Sequence, residues 1–353
     1  MGRMTRTLVL IANPGDETIA AFTLTVEDEA TASLQHLATS TLDGASSTFA
    51  VDADRDLVYA GVKGETPAIV TLKLDRESGE LAAQSVRPVD DAMTYLSLAH
   101  GGTVLLGASY GGGFGGTWPV GDDGTVGEQA ARIEYPNVHC VVPSPDSANA
   151  YYVSLGADLI AQYDLADDGT LSPLDPATAD APAGSGPRHL ILDEAGTNAY
   201  LMTEFTGEAI RFERDASGRL TRQESVQAFD TTRGLTQSVF GADPVENHLI
   251  WGADLHLAAD EAYLLCSERC ESTIATVSLD EDGALKGVVA LADTEKQPRG
   301  FGVSPDGRHV VTVGEKSTEA SLTTIATDGE LVEVDGAHCG HGPNWVRMVT
   351  LDD

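Results

Sequence analysis

Titratable side chains recur beside short apolar segments of this sequence, and their types suit chemistry on an anion. His139, Arg188 and Arg299 stand at or near the start of such a segment, whereas Glu204 and Arg269 stand at or just after the end of one. Arginine offers two parallel donors to a carboxylate or phosphate, and histidine and glutamate can transfer protons. If the fold gathers these five residues, they predict a site that binds an anion and moves a proton.

Four more polar residues occupy equivalent positions and are expected to help bind the substrate: His189, Asp254, His256 and Lys316. Each candidate also has a structural interpretation. A single arginine can serve a structural salt bridge, and His139 can be a satisfied histidine that lines a channel. The remaining histidines with a structural or solvated interpretation are His36, His100, His248 and His309.

The segments that carry these residues repeat about every 45 residues. Each repeat contains a tight turn with a glycine, and an apolar residue follows two positions after that glycine. The turn glycines are Gly79, Gly124, Gly169, Gly218, Gly283 and Gly329. Glycine suits such turns because it accepts positive φ. Four short strands in about 45 residues is the period of a β-propeller blade.

The repeat predicts an all-β fold, a seven-bladed β-propeller that forms a single domain over residues 1–353. Six units are internal, and the seventh is split between the chain ends. Its innermost strand is predicted at Trp345–Val349, and its other three strands at Thr7–Ile11, Thr18–Thr25 and Ser33–Ala38. Pairing of the N- and C-terminal strands would close the ring and remove an exposed edge. One interval is longer, which predicts a loop insert over Gln223–Ile250.

Blade geometry gathers the polar residues. The first strand of a blade lines the central channel, and its start lies beside the end of the antiparallel second strand. Every candidate residue therefore falls at one mouth of the channel. Gly111–Gly116 is rich in glycine but lacks the lysine and the following helix of a phosphate-binding loop. We expect it to be a flexible connection near the mouth.

Composition narrows the possible partners. The chain has 55 acidic and 21 basic residues and a formal net charge of −34, which disfavours binding to nucleic acid or to an anionic membrane. No signal segment or apolar run of membrane-spanning length is evident, so we expect a cytoplasmic protein, a monomer or weak homo-oligomer. The four cysteines lack the paired spacing of a zinc site, and Cys266 and Cys270 are expected to be reduced thiols. We therefore expect no metal and no cofactor.

Five segments together resemble the seven-bladed lactonase family, which includes the propeller-type 6-phosphogluconolactonases and the fungal 3-carboxy-cis,cis-muconate lactonizing enzyme. They are Gly184–His189, Trp251–His256, Gln297–Phe301, Gly314–Ser317 and Gly342–Val346. The resemblance implies a reaction that opens or forms a lactone without a metal. It also implies that His139, Arg188, Glu204 and Arg269 are the catalytic residues.

Three functional hypotheses follow. The first is a hydrolase of a phosphorylated or carboxylated sugar lactone, with 6-phosphogluconolactone, a pentose phosphate pathway metabolite, as the favoured substrate. Arginines would hold the anion and the developing oxyanion, and either His139 or Glu204 would be the general base. The second is a muconate-type lactonizing enzyme. The third is a propeller that binds a ligand without catalysis, because fold alone does not fix function.

Overall fold

The computed structural model describes residues 5–28 and 31–351. Within these ranges 28 strands form seven antiparallel sheets of four strands each. The innermost strands of neighbouring sheets contact one another around a ring. The prediction of an all-β, seven-bladed propeller is confirmed. The described ranges contain no helix long and apolar enough to cross a lipid bilayer.

Blades 1 to 3 follow one another in the chain, and in each the strands run from the central channel outward. Blade 1 consists of β4 (Ala45–Asp52), β5 (Leu57–Lys63), β6 (Ala68–Leu74) and β7 (Leu81–Pro88). Blade 2 consists of β8 (Tyr95–Ala99), β9 (Val104–Ser109), β10 (Phe114–Pro119) and β11 (Ala131–Glu134). Blade 3 consists of β12 (Val138–Pro143), β13 (Asn149–Ser154), β14 (Leu159–Leu165) and β15 (Leu171–Asp180).

Blades 4 to 6 repeat the same order. Blade 4 consists of β16 (Pro187–Leu192), β17 (Asn198–Thr203), β18 (Glu208–Arg214) and β19 (Leu220–Gln227). Blade 5 consists of β20 (Gly252–Ala258), β21 (Tyr263–Glu268), β22 (Thr273–Leu279) and β23 (Leu285–Asp293). Blade 6 consists of β24 (Gly300–Val303), β25 (His309–Val313), β26 (Glu319–Ile325) and β27 (Leu331–His338).

Blade 7 joins the two ends of the chain. It consists of β28 (Trp345–Leu351), β1 (Thr5–Asn13), β2 (Thr18–Asp28) and β3 (Thr31–Thr41). Strand β28 pairs antiparallel with β1, from Ala12 opposite Trp345 to Arg6 opposite Leu351. The predicted closure of the ring is confirmed.

The repeated glycine turns have a packing role that explains their period. The carbonyl of each turn glycine in blades 2 to 6 accepts a hydrogen bond from a hydroxyl group of the preceding blade. Tyr151 donates to Gly218 in this way at 2.6 Å. Gly218 has φ +82°, and a Cβ there would lie 2.2 Å from Oδ1 of Asn149. The turn therefore needs glycine for both its conformation and its contact with the preceding blade.

Two loop predictions need correction. Within the predicted insert Gln223–Ile250, the residues up to Gln227 continue strand β19. The rest contains a short 3-10 helix, Thr231–Arg233, and one helical turn, α1 (Pro244–Asn247); a further 3-10 turn, His100–Gly102, lies in blade 2. The Gly111–Gly116 stretch is also only partly a connection, because strand β10 begins at Phe114. Glycine is required there because a Cβ at Gly115 would lie 2.4 Å from the ring of Tyr152 in the next blade.

Candidate active site

A cavity of about 470 Å³ opens at one mouth of the central channel. Blades 1 to 6 supply its wall from two kinds of position, the start of an innermost strand and the end of a second strand. Five of the nine predicted site residues lie in this wall: His139, Arg188, Glu204, Arg269 and Arg299. The strand geometry explains this convergence, since antiparallel neighbours place those positions at the same end of a blade.

Arg188 is the most deeply buried cation of the cavity, with 1% of its surface exposed. Its Nε donates to Oε2 of Glu204 at 3.1 Å, and Nη1 donates to the carbonyl of Ala253 at 2.6 Å and to Nε2 of His189 at 3.2 Å. Burial and the nearby Arg299 lower the pKa of Arg188, and Glu204 opposes this. An arginine side chain remains protonated under such conditions. Of these three polar partners only Glu204 is charged, and together they fix the orientation of the guanidinium.

A buried acid-base chain lies behind Arg188. Nδ1 of His189 donates to Oδ1 of Asp254 at 2.7 Å, which leaves Nε2 as the acceptor for Arg188. Burial and the charge of Arg188 lower the pKa of His189 to about 3, so its ring is neutral at pH 7. His256 contacts the other oxygen of Asp254 at 3.3 Å. The chain therefore selects one tautomer of His189 and so holds Arg188 in place.

His139 lies between this chain and the opposite wall. Its ring centroid is 5.1 Å from that of His189 and 5.7 Å from that of Tyr110. Burial, then the charge of Arg188, hold the pKa of His139 well below its ordinary value. Its Nδ1 is buried without a hydrogen-bond partner within the described ranges. The ring is therefore neutral, and a protonated form would be costly beside the arginines.

A second cluster of charges forms the blade 5 and blade 6 side of the cavity. Glu315 accepts from Nη1 of Arg299 at 3.0 Å with one oxygen and from Nη2 of Arg269 with the other. The guanidinium of Arg269 stacks on Trp251, 3.4 Å from the ring centroid. Burial alone would raise the pKa of Glu315, but Arg299 and Arg269 outweigh it and lower the pKa. One carboxylate thus serves two guanidinium groups, and this cluster keeps an excess of positive charge.

The remaining four predicted residues lie outside the cavity wall. His189, Asp254 and His256 form the supporting chain behind it, and Lys316 is exposed to solvent. Residues not predicted complete the wall. They include Ser47, Lys63, Asp91, Tyr110 and Trp251.

The position rule that found the other residues applies to these as well. Lys63 ends the second strand of blade 1, and Tyr110 follows the second strand of blade 2. Asp91 and Trp251 precede innermost strands. The rule was sufficient to find these residues. They were missed because blades 1 and 2 have no histidine or arginine at the wall positions, and those residue types guided the selection from the sequence. Lys63 has no carboxylate partner within the described ranges.

Fold and site together define a seven-bladed propeller whose channel mouth gathers three arginines, a histidine and a glutamate around one cavity. The model of the family described as lactonase, 7-bladed β-propeller, matches residues 7–348. The chain belongs to this family, and the prediction of a lactone hydrolase is confirmed.

Curated relatives and solved structures agree with this assignment. The 6-phosphogluconolactonase of Sodalis glossinidius is 30% identical over 298 residues, covering 84% of this chain and 86% of the relative. The 6-phosphogluconolactonase of Pectobacterium carotovorum is 27% identical and covers 98% of this chain and 99% of the relative. The solved structure of the periplasmic gluconolactonase of Pseudomonas aeruginosa superposes with a TM-score of 0.84 at 25% identity. The match covers 98% of this chain and 100% of that chain.

Proposed function

We propose that this protein hydrolyses 6-phosphogluconolactone to 6-phosphogluconate. The observation that carries the proposal is the Arg188–Glu204 pair beside a neutral His139, in a cavity whose charged wall residues are mostly cationic. The curated relatives named 6-phosphogluconolactonase support the same substrate. A cavity of about 470 Å³ lies within the range that small-molecule sites have.

Glu204 is the general base in this proposal. It takes a proton from the attacking water as the water oxygen bonds to the lactone carbonyl carbon. A protonated His139 would lie beside Arg188 and Arg299, which makes that ring a poor proton acceptor. Protonation of Glu204 instead removes the negative charge that neutralises Arg188. The guanidinium is then free to stabilise the oxyanion at the moment it forms.

Collapse of the tetrahedral intermediate completes the reaction. The C–O bond to the ring oxygen breaks, and the protonated Glu204 returns its proton to that oxygen. His139 remains neutral and orients the water or the lactone by hydrogen bonding. Asp254 and His189 act as positioning residues, because they do not line the cavity and are hydrogen-bonded to it through Arg188.

The phosphate group is proposed to bind among the remaining cations. Arg269 and Arg299 share one glutamate, and Lys63 faces them from blade 1 across the ring. Phosphate oxygens favour arginine and lysine as donors. We further propose a cytoplasmic monomer or weak homo-oligomer. Four free cysteines, three of them buried, are consistent with a reducing compartment.

The decisive experiment is a comparison of substrates. Purified protein is given 6-phosphogluconolactone and glucono-δ-lactone, and acid release is corrected for spontaneous hydrolysis. A carboxymuconate is tested in parallel by loss of its diene absorbance, because its cyclisation takes up a proton and releases none. The proposal requires the highest kcat/KM for the phosphorylated lactone. Turnover of the muconate alone would support the lactonizing alternative, and no turnover of any compound would support a propeller that only binds a ligand.

A further inference from the structure

Three potential metal ligands meet on the outer side of the turn that carries Arg269. They are His248 of the insert and Cys270 and Glu271 of the β21–β22 turn, and their ligand atoms all lie within 4.8 Å of one another. None of the three lines the reaction cavity. The spacing of the cysteines does not indicate this cluster, because the neighbours of Cys270 in it are a histidine and a glutamate and not a second cysteine.

The spacing of two donor atoms fits a bound ion. Nδ1 of His248 and Oε1 of Glu271 are 3.4 Å apart. In a tetrahedral zinc site, bonds of about 2.0–2.1 Å to nitrogen and oxygen place two such ligands about 3.4 Å from each other. The two atoms are therefore separated as ligands of one tetrahedral ion are.

Arg233 orients both of these ligands. Its carbonyl accepts from Nε2 of His248 at 2.9 Å, which leaves the lone pair of Nδ1 directed toward Glu271. Its guanidinium holds the other carboxylate oxygen, Oε2, at 3.4 Å. Two acceptors, Nδ1 and Oε1, thus face each other and need a cation or a proton between them. Histidine ligands of metals have this arrangement, with the second ring nitrogen donating to a carbonyl.

The turn that supplies the other ligands is rigid before any ion binds. Glu268 is 1% exposed, and its carboxylate accepts from the backbone N–H groups of Trp251, Cys270 and Glu271. The thiol of Cys270 donates to the carbonyl of Pro244 in the insert at 3.4 Å. Ion binding would replace that thiol proton, which leaves to solvent, with a metal–sulfur bond.

We propose that His248, Cys270 and Glu271 bind one divalent transition-metal ion of the zinc type, with solvent as the fourth ligand. A thiolate and an imidazole select such an ion over magnesium or calcium. The ion is structural. It ties the insert to the turn that presents Arg269. Glu268, which accepts from the backbone of this turn, also accepts from the backbone of Trp251, on which Arg269 stacks. This proposal is independent of the lactone substrate.

Cobalt(II) is the probe, because a thiolate ligand gives it an intense near-ultraviolet charge-transfer band. Metal-free full-length protein is titrated with cobalt and then with competing zinc, and limited proteolysis of the insert is followed in parallel. We expect one ion per chain, the thiolate band, its loss on addition of zinc, and slower cleavage of the insert with metal. Cys270→Ser should abolish the band, and His248→Ala should weaken binding at least about tenfold.

His341→Ala is the matched control. His341 is another exposed histidine whose Nδ1 faces a carboxylate, that of Asp16 at 2.9 Å, and this variant should bind cobalt as the wild type does. Circular dichroism checks that each variant is folded. The proposal is overturned if the wild type shows no thiolate band, or if His248→Ala binds cobalt as tightly as the wild type. The proposal is also overturned if His248 titrates as a protonated partner of Glu271 and zinc does not change that titration.

Discussion

Glu204→Gln separates the base from the geometry of the site. Glutamine keeps the volume of the side chain, and its amide oxygen can still accept from Nε of Arg188, now 3.1 Å from Oε2. Arg188 also keeps its bonds to Ala253 and His189. The substitution therefore removes proton acceptance and leaves the buried guanidinium in place.

The expected loss falls on turnover. Removal of a general base costs about 10²–10⁴ in kcat, which corresponds to about 2.7–5.5 kcal/mol of activation free energy. KM should change little because the cations that hold the substrate remain. Replacing a charged hydrogen bond by a neutral one at a buried arginine should lower the free energy of unfolding by about 1–2 kcal/mol.

The assay is acid release from 6-phosphogluconolactone, corrected for spontaneous hydrolysis, together with urea unfolding. Glu208→Gln is the matched control. Glu208 lies in strand β18 outside the cavity wall and accepts from Thr206 and Ser225, so this variant should keep its turnover. A Glu204→Gln variant with kcat within about threefold of the wild type would refute the assignment. If a His139→Ala variant were inactive at the same time, His139 would be the base.

Three further outcomes are expected. Arg188→Ala should lower kcat on 6-phosphogluconolactone by about 10²–10³, because it removes the guanidinium assigned to the oxyanion; an unchanged kcat would contradict the role of Arg188. Lys63→Gln should lower kcat/KM about tenfold for the phosphorylated lactone but not for glucono-δ-lactone. The control variant Lys316→Gln, outside the cavity wall, should change kcat/KM for neither lactone. Equal losses on both lactones in Lys63→Gln would count against phosphate binding by Lys63. Acid should destabilise the fold through His189, because a lowered pKa means that the unfolded chain binds its proton first as pH falls from about 6.5 toward 3. This contribution amounts to about 2 kcal/mol between pH 7 and 5, and urea unfolding of His189→Asn should show a correspondingly smaller loss.

The sequence was sufficient to predict the ring and one wall of the cavity. The period of the glycine turns predicted the blades, and antiparallel pairing then placed Arg188 and Glu204 at the same end. This succeeded because blade geometry repeats, so a residue's position in the repeat defines its height in the channel. The same rule could have found Lys63 and Tyr110, but it identifies only positions at the channel mouth. It does not show which residues at those positions take part in the chemistry.

Distinguishing the wall from its support required the structure. His189 follows Arg188 directly, and side chains alternate between the faces of a strand, yet a β-bulge in the pairing of β16 with β17 places both in the channel region. Such an irregularity has no signature in the order of residues. The insert was equally unpredictable in detail, because its helical turns are only three and four residues long and lack a hydrophobic period. Only the capping residues Asp230 and Asp243 mark where they start.

The closing blade has a consequence for how the protein forms in the cell. Of the 28 described strands, β1 is synthesised first and its partner β28 last. Contacts between residues so distant in the chain are slow to form. Until β28 arrives, β1 has an unpaired edge, which can recruit a strand from another nascent chain. Ring closure therefore waits until all seven blades have been synthesised, and a chain that ends before Trp345 should be prone to association through blade 7.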